Sequence, residues 1–287
     1  MASDPGPSPT LRRRRLAALM RKLREESGLT RDEVARRLEW SPSKMTRIES
    51  AQFVRLPPRD VRDLLDVYGI TGESEREGLI QLAREARQRG WWRQYGDVLQ
   101  DWLQVFVGLE AEASEIRTYH AQVVPGLMQT EDYARHVARA GLVKDAEEIE
   151  RRVDARLIRQ ERLFRPEGPK IWAILDEAVL CRVVGGREVM RLQLERLLEF
   201  ADLENVEIQI LPYSTGAHPA VDGSFTVLGF SEASDPDVVY LEHWKSALFV
   251  ESPEEVVEYD RMYTHLNASA LSTGDSVEMI AAIAKAL

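Results

Sequence analysis

Ser27-Gly-Leu-Thr-Arg-Asp-Glu-Val-Ala-Arg-Arg-Leu-Glu-Trp-Ser-Pro-Ser-Lys-Met-Thr-Arg-Ile-Glu-Ser50 holds two short helices, each with its own start signal, joined by a tight turn. Thr30 stands where an N-cap belongs, and Glu33, three residues on, completes a capping box. The helix it opens covers Arg31–Leu38. Glu39–Trp40 forms the turn. Ser41 is a second cap, and Pro42 at the first helical position suits a helix start, so the second helix runs to about Ser50. Val34, Ala35 and Leu38 face inward from the first helix, Met45 and Ile48 from the second. The small side chain of Ala35 lets the two helices cross closely.

The surroundings extend this pair into a bundle. Upstream, Leu16, Leu19, Met20 and Leu23 recur at three- and four-residue spacing, the period of one buried face, over Leu11–Glu26. Gly28 ends that helix at a usual position for positive φ. Downstream, Arg59–Tyr68 and Glu73–Arg89 read as two further helices, split by Gly69–Gly72. The result is a mainly α bundle of about five helices. Its central pair has the geometry of a helix-turn-helix, whose second helix enters the DNA major groove.

Residues Leu16–Tyr68 resemble the Xre-family helix-turn-helix of the phage-repressor and Cro type. The likeness rests on Gly-Leu-Thr at 28–30, the Glu-Val-Ala core at 33–35, Ser41 as cap and the Arg-Ile-Glu ending at 47–49. It implies five helices, DNA binding and a dimer. Two positions depart from the pattern: a small residue, often Gly, is usual where Glu39 stands, and another Gly is frequent near Ala51. The resemblance makes Pro42, Ser43 and Arg47 the groove-facing base readers. Pro42 is restricted to apolar contacts, whereas Arg47 can bond guanine O6 and N7 bidentately, worth about 1–3 kcal/mol of discrimination. Ser41, Lys44 and Thr46 fall where phosphates are contacted, which positions a protein without reading sequence. Arg31 opens the preceding helix, where side chain and helix N-terminus both favour a phosphate. Glu49 is expected to pair with a basic residue inside the bundle. Arg12–Arg15 would reach a flanking phosphate or the minor groove, or simply form a solvated basic face. The plain alternative is that all these side chains are solvated polar groups on a small bundle.

Charge supports the DNA reading. The whole chain of 287 residues has a formal net charge of −10, but it is divided unevenly. Residues 1–62 carry +7 and residues 63–287 carry −17, as expected for a nucleic-acid-binding segment tied to a domain that does not bind it. The 32 Arg against 6 Lys fit coding bias as well as phosphate binding. At 44% hydrophobic and 30% charged, the chain has too much apolar surface for a disordered protein. No run approaches the roughly 18 apolar residues of a spanning helix, and the N-terminus has no apolar signal core, so a cytoplasmic location is expected. Cys181, the single cysteine, excludes an intramolecular disulfide and a multi-cysteine zinc site.

The remainder is mixed. Strands are expected at Ser114–Val124, Ile171–Leu175, Val206–Leu211, Phe225–Phe230, Val238–His243 and Ala247–Val250. Helices are expected at Thr130–Gly141, capped by Thr130, at Asp145–Phe164, Arg187–Ala201, Glu254–Leu271 and Asp275–Leu287. Their irregular interleaving favours an α+β domain. Residues 1–10 are expected to be a disordered tail, 11–89 the DNA-binding bundle and 90–287 an α+β receiver and dimerisation domain.

Catalytic and metal patterns are weak there. His120, His136, His218, His243 and His265 make no His-x-x-x-His pair, and Glu242 and His243 point to opposite faces of a strand. Asp176-Glu177 reads more readily as a helix cap than as an acid–base pair, Val183–Gly186 as a turn, and Cys181 as buried. Trp91, Trp92, Tyr95, Trp102 and Phe106 form either core or a ligand groove. His218–Phe225 is either a closing loop or a plain hairpin connection. No catalytic residue, cofactor or metal is assigned.

Trp91-Trp92, Leu109–Ala113, Val124–Tyr133, Arg151-x4-Arg156-x2-Arg159-Gln160 and Val239–Glu242 resemble the large uncharacterised C-terminal domain of WhiJ-like regulators. That resemblance implies a small protein partner and an antitoxin-like or developmental role. The sequence therefore predicts a DNA-binding transcriptional regulator, a homodimer on double-stranded operator DNA, whose C-terminal domain receives a protein or a ligand. An enzyme with an appended DNA-binding module is the alternative.

Overall fold

The computed structural model describes residues 9–51, 56–88, 90–232 and 235–287, in two compact units, Met1–Arg93 and Gln94–Leu287. In the first, five helices follow one another: α1 (Pro9–Glu26), α2 (Arg31–Arg37), α3 (Pro42–Glu49), α4 (Pro58–Val67) and α5 (Glu73–Glu85). Of the expected tail, residues 1–8 lie outside the described residues. Pro9 and Thr10 belong to α1 instead, and both are buried; proline is well suited to a helix's first turn.

The inward faces anticipated from periodicity meet in one core. Leu16, Met20 and Leu23 of α1 join Val34 and Ala35 of α2, Met45 and Ile48 of α3, and Val61, Leu64 and Leu65 of α4. Leu19 and Leu38 pack against it while half-buried. Ala35 is buried where α2 and α3 cross, and its carbonyl accepts the Trp40 N–H at 2.8 Å. Thr30 closes the predicted capping box: its hydroxyl accepts from Glu33 N, and its own N–H donates to Glu33 Oε2 at 2.8 Å. Gly28 has φ +71. Glu39 and Ala51, the two departures from the helix-turn-helix pattern, both adopt the left-handed conformation, with φ 55 and 54. Helix α5 stops at Glu85, short of the expected Arg89, which lies outside the described residues.

The second unit is built on a six-stranded mixed sheet. Its strands are β1 (Glu115–His120), β2 (Lys170–Asp176), β3 (Val206–Leu211), β4 (Phe225–Gly229), β5 (Val238–His243) and β6 (Ser246–Val250), in the order β3-β2-β1-β4-β5-β6. β3, β2 and β1 are parallel, while β4, β5 and β6 continue from β1 as an antiparallel meander. Helices α7 (Glu131–Ala140) and α8 (Ala146–Gln160) fill the β1–β2 crossover; α9 (Glu177–Cys181) and α10 (Arg187–Ala201) fill the β2–β3 crossover. Helices α11 (Pro253–Ser269) and α12 (Thr273–Ala286) follow the sheet, and α6 (Asp101–Glu110) precedes it.

One sheet face, with Tyr119, Ile174, Val227 and Val239, packs on Val256, Tyr263 and Leu266 of α11. The other carries Thr118 and Thr226, paired through their hydroxyls at 2.8 Å, and Tyr240, because neighbours along a strand point to opposite faces.

Several elements differ from the sequence expectation. β1 ends at His120 rather than Val124, because the backbone beyond it is used elsewhere: Val124 N–H donates to the Tyr133 hydroxyl and Val124 C=O accepts from Gln129. The helix expected through Phe164 is α8, capped by Asp145, followed by a 3₁₀ turn at Glu161–Phe164. Helices α6 and α9 were not foreseen.

Candidate nucleic-acid interface

α3 divides cleanly by azimuth. Met45 and Ile48 are buried and fix the helix to the bundle, whereas Pro42, Ser43, Thr46, Arg47 and Ser50 are exposed on the opposite side. Among the described residues the Arg47 guanidinium makes no hydrogen bond or ion pair. Thr46 Oγ1 bonds back to the Pro42 carbonyl at 3.4 Å and Ser50 Oγ to the Thr46 carbonyl at 2.8 Å, so both hydroxyls are partly used by the helix itself. Ser41 holds the N-cap position of α3, but its side chain makes no cap bond. Its hydroxyl lies 3.1 Å from that of Ser43 instead.

Two of the expected phosphate ligands have partners inside the bundle. Lys44 Nζ lies 2.6 Å from Asp60 Oδ2 of α4 and 3.4 Å from the centroid of the Trp40 ring. An ammonium has three donors, and this arrangement commits it to a carboxylate on one side and a ring face on another. Arg31 points its Nε at Glu49 Oε2, 3.0 Å away, with the side chain 47% exposed. Pro42, Ser43, Thr46 and Arg47 are thus brought together, Ser41 sits beside them, and Lys44 and Arg31 are turned toward the bundle. Asp60 and Trp40, which hold Lys44, have no local signature that would mark them.

Glu49 pairs inward, as expected. Arg24 Nε and Nη2 donate to its two carboxylate oxygens at 2.6 and 3.1 Å, and Arg24 Nη1 donates to the Leu29 carbonyl at 2.9 Å. Both side chains are buried. The Glu49 hydrogen bonds raise the Arg24 pKa above its usual value. Arg12–Arg15 are all half-buried, and Arg12 Nε lies 3.3 Å from Glu85.

In the second unit, Asp176 caps α9 through Ala178 N at 2.9 Å, and Glu177 accepts from Tyr213 N at 2.7 Å. The Tyr119 hydroxyl lies 3.3 Å from Asp176 Oδ2 and 3.4 Å from His218 Nε2. Tyr119 is buried, and desolvation raises its pKa. Cys181 is exposed, contrary to expectation, because it ends the short α9. Desolvation lowers His120 to about 4. The Val183–Gly186 turn places Gly185 and Gly186 at positive φ before α10. Trp92 and Phe106 are buried. Among the described residues no group of three His, Cys, Asp or Glu is placed to hold a metal, and no helix is long and apolar enough to cross a membrane.

The four strings compared with WhiJ-like regulators that lie in this unit converge in space. Arg159 makes a bidentate pair with Glu110 of α6, both bonds at 2.7 Å. Arg156 donates to Gln129 Oε1. Gln160 Nε2 donates to the Gln129 carbonyl at 2.6 Å, and Gln193 of α10 brackets Met128 and Thr130. Tyr240 of β5 stacks on Phe106 of α6 at 4.1 Å. Side chains from α8 and α10 therefore pin the Val124–Tyr133 string over the sheet.

Residues 103–282 match the family model described as a domain of unknown function, DUF5753. That match covers more than half of the sequence. The chain belongs to the DUF5753 family. Residues 15–79 match a helix-turn-helix domain, so this DUF5753 chain joins a DNA-binding type of module to the family's own α+β unit. No curated protein and no solved structure matches it.

Proposed function

We propose that this chain is a sequence-specific transcriptional regulator that docks α3 in the major groove of its operator. The observation that carries the proposal is the exposed Pro42-Ser43-Thr46-Arg47 face of α3, whose reverse face is locked into the core by Met45 and Ile48. A rigid helix with an uncommitted guanidinium on its outer side suits base readout. Arg47 is the base reader, with Pro42 and Ser43 beside it. Ser41 and Thr46 contact flanking phosphates. Arg31 and Lys44 reach phosphate with the donors that Glu49 and Asp60 leave over.

One such module reads only a few base pairs, which favours a homodimer on two half-sites. The net −17 of residues 63–287 favours an acidic receiver domain that stays off the DNA, in a cytoplasmic protein. The finer resemblance to Xre-type, WhiJ-like regulators supports a small protein partner on that domain and an antitoxin-like role. The enzyme alternative is less favoured. Asp176, Tyr119 and His218 do meet, but Asp176 caps a helix and Tyr119 is buried, which favours a structural role for the group.

The test is binding of the full chain to duplex DNA as a function of salt. The affinity should fall steeply as salt rises, and Lys44→Ala should reduce the slope by about one counterion unit while weakening all sequences alike. Absence of duplex binding at low salt would defeat the proposal.

A further inference from the structure

β6 is the last strand of the sheet and pairs only with β5. Trp244-Lys245 joins the two strands as a tight loop, so the flanking His243 and Ser246 face each other as a hydrogen-bonded pair. Antiparallel alternation then directs the N–H and C=O groups of Ser246, Leu248 and Val250 to β5, and those of Ala247 and Phe249 to the outer edge. No described residue bonds to the backbone of Ala247 or Phe249 on that outer side. The opposite edge of the sheet is closed. There the Ile210 N–H of β3 donates to Ser276 Oγ, and the Ile210 C=O accepts from the Leu271 N–H, both at 2.9 Å.

Edge strands of folded proteins carry charge, proline or a bulge that discourages pairing with another chain. β6 has none of these: Ser246-Ala-Leu-Phe-Val250 is uncharged and lacks proline, and it pairs residue for residue with β5. The strand is supported from its α6 side, where the Phe249 ring lies 5.2 Å from Tyr240 and Tyr240 stacks on Phe106. Leu248 points to the other face, beside its cross-strand neighbour Leu241. Its side chain is 54% exposed, and Trp244 in the loop is 74% exposed. Open backbone groups next to exposed apolar side chains are what an added strand requires.

We propose that β6 pairs antiparallel with β6 of a second copy of this chain, about a twofold axis at Leu248. The strand is self-complementary in that register. Ala247 of each copy faces Phe249 of the other, so their outward N–H and C=O groups satisfy one another. Leu248 faces Leu248 of the second copy as a non-hydrogen-bonded pair, in which side chains come closest, and each covers the other's exposed surface. Just beyond the strand, Lys245 of each copy comes opposite Glu251 of the other, so unlike charges meet at both ends. An axis at Ala247 or Phe249 would set Leu248 against Ser246 or Val250 and would lose both charge pairings. Because the β3 edge is closed, pairing of this kind stops at two copies. The inference rests on the homodimer proposed above and locates its interface in the DUF5753 unit; it does not depend on whether α3 binds DNA.

The experiment is sedimentation equilibrium of the full chain without DNA. Wild type should show a reversible monomer–dimer equilibrium. Leu248→Lys and Leu248→Glu each set like charges on the axis and should leave monomer, whereas an equimolar mixture of the two should associate again. Ala247→Pro removes an outward N–H that β5 does not use. By symmetry it deletes a bond from each half of the interface and should raise the dimer dissociation constant roughly 10-fold; it carries the test if the Leu248 variants do not fold. Leu248→Cys in a Cys181→Ser background should cross-link into a dimer on oxidation, because residues opposed in such a pair have Cα atoms about 4.5 Å apart, within disulfide reach. A dimer that persists in Leu248→Lys, a mixture that fails to associate, or a Leu248→Cys dimer that does not cross-link would overturn the β6 interface and leave the homodimer standing. Wild type that stays monomeric at every concentration would overturn both, leaving the edge to an extended segment of another protein.

Discussion

Glu39→Gly should stabilise the N-terminal unit. Glu39 sits in the turn between α2 and α3 with φ 55, a conformation that costs a non-glycine residue about 1–2 kcal/mol. Glycine removes that strain but adds conformational freedom to the unfolded chain, worth roughly 0.5–1 kcal/mol in the other direction. The Glu39 side chain is exposed, so little contact is lost, and the net gain is about 1 kcal/mol. The mirror-image change is Gly28→Ala. Gly28 has φ +71, and an added Cβ would meet nothing within 4 Å, so its expected loss of about 1 kcal/mol is backbone strain alone. Native-state hydrogen exchange of the Trp40 amide, which donates to the Ala35 carbonyl across the turn, reads this locally. A gain of 1 kcal/mol slows exchange roughly 5-fold when the amide opens with its unit. Exchange as fast in Glu39→Gly as in wild type, together with no loss in Gly28→Ala, would refute the reasoning.

Glu49→Ala removes the bidentate partner of Arg24 and leaves it Glu25 and the Leu29 carbonyl; it should cost about 2–3 kcal/mol, seen as an early unfolding transition of the N-terminal unit in urea. His120, lowered to about 4 by desolvation from about 6.5, is held neutral in the folded state and charges more readily when unfolded. Its contribution, roughly 3 kcal/mol, is therefore fully present above pH 6.5 and lost as pH falls toward 4; a denaturation series should show a steeper loss between pH 6.5 and 4 in wild type than in His120→Gln. Asp60→Asn removes the counter-charge of Lys44, and it should tighten duplex binding and steepen its salt dependence; unchanged affinity in a salt titration would mean that Lys44 stays off the phosphates.

Local signals carried most of the fold. Thr30 and Glu33 make their cap within one helical turn, and Gly28 and Pro42 mark helix ends by backbone geometry alone, so each could be read from neighbours in sequence. Val206–Leu211 and Val238–His243 alternate over a sheet with one apolar face and have the bounds anticipated for them. The misses lie where distant partners decide. Ala121–Val124 has strand-like composition, but Tyr133 and Gln129 take its backbone groups. Lys44 looked free because Asp60 arrives from another helix. Cys181 looked buried because its sequence neighbours are apolar, although it terminates a helix too short to cover it. At the candidate interface, sequence identified α3 and its buried side. The division of its polar residues between committed and uncommitted needed the bundle around it.

The most direct test of the central claim is selection of duplex DNA from a random pool by the full chain and by Arg47→Ala. Wild type should enrich an inverted repeat with half-sites about 34–36 Å apart, or a multiple of that. Arg47→Ala should still bind but lose its preference at one position in each half-site. Recovery of the same motif by both proteins, or of none by wild type, would contradict base reading by α3.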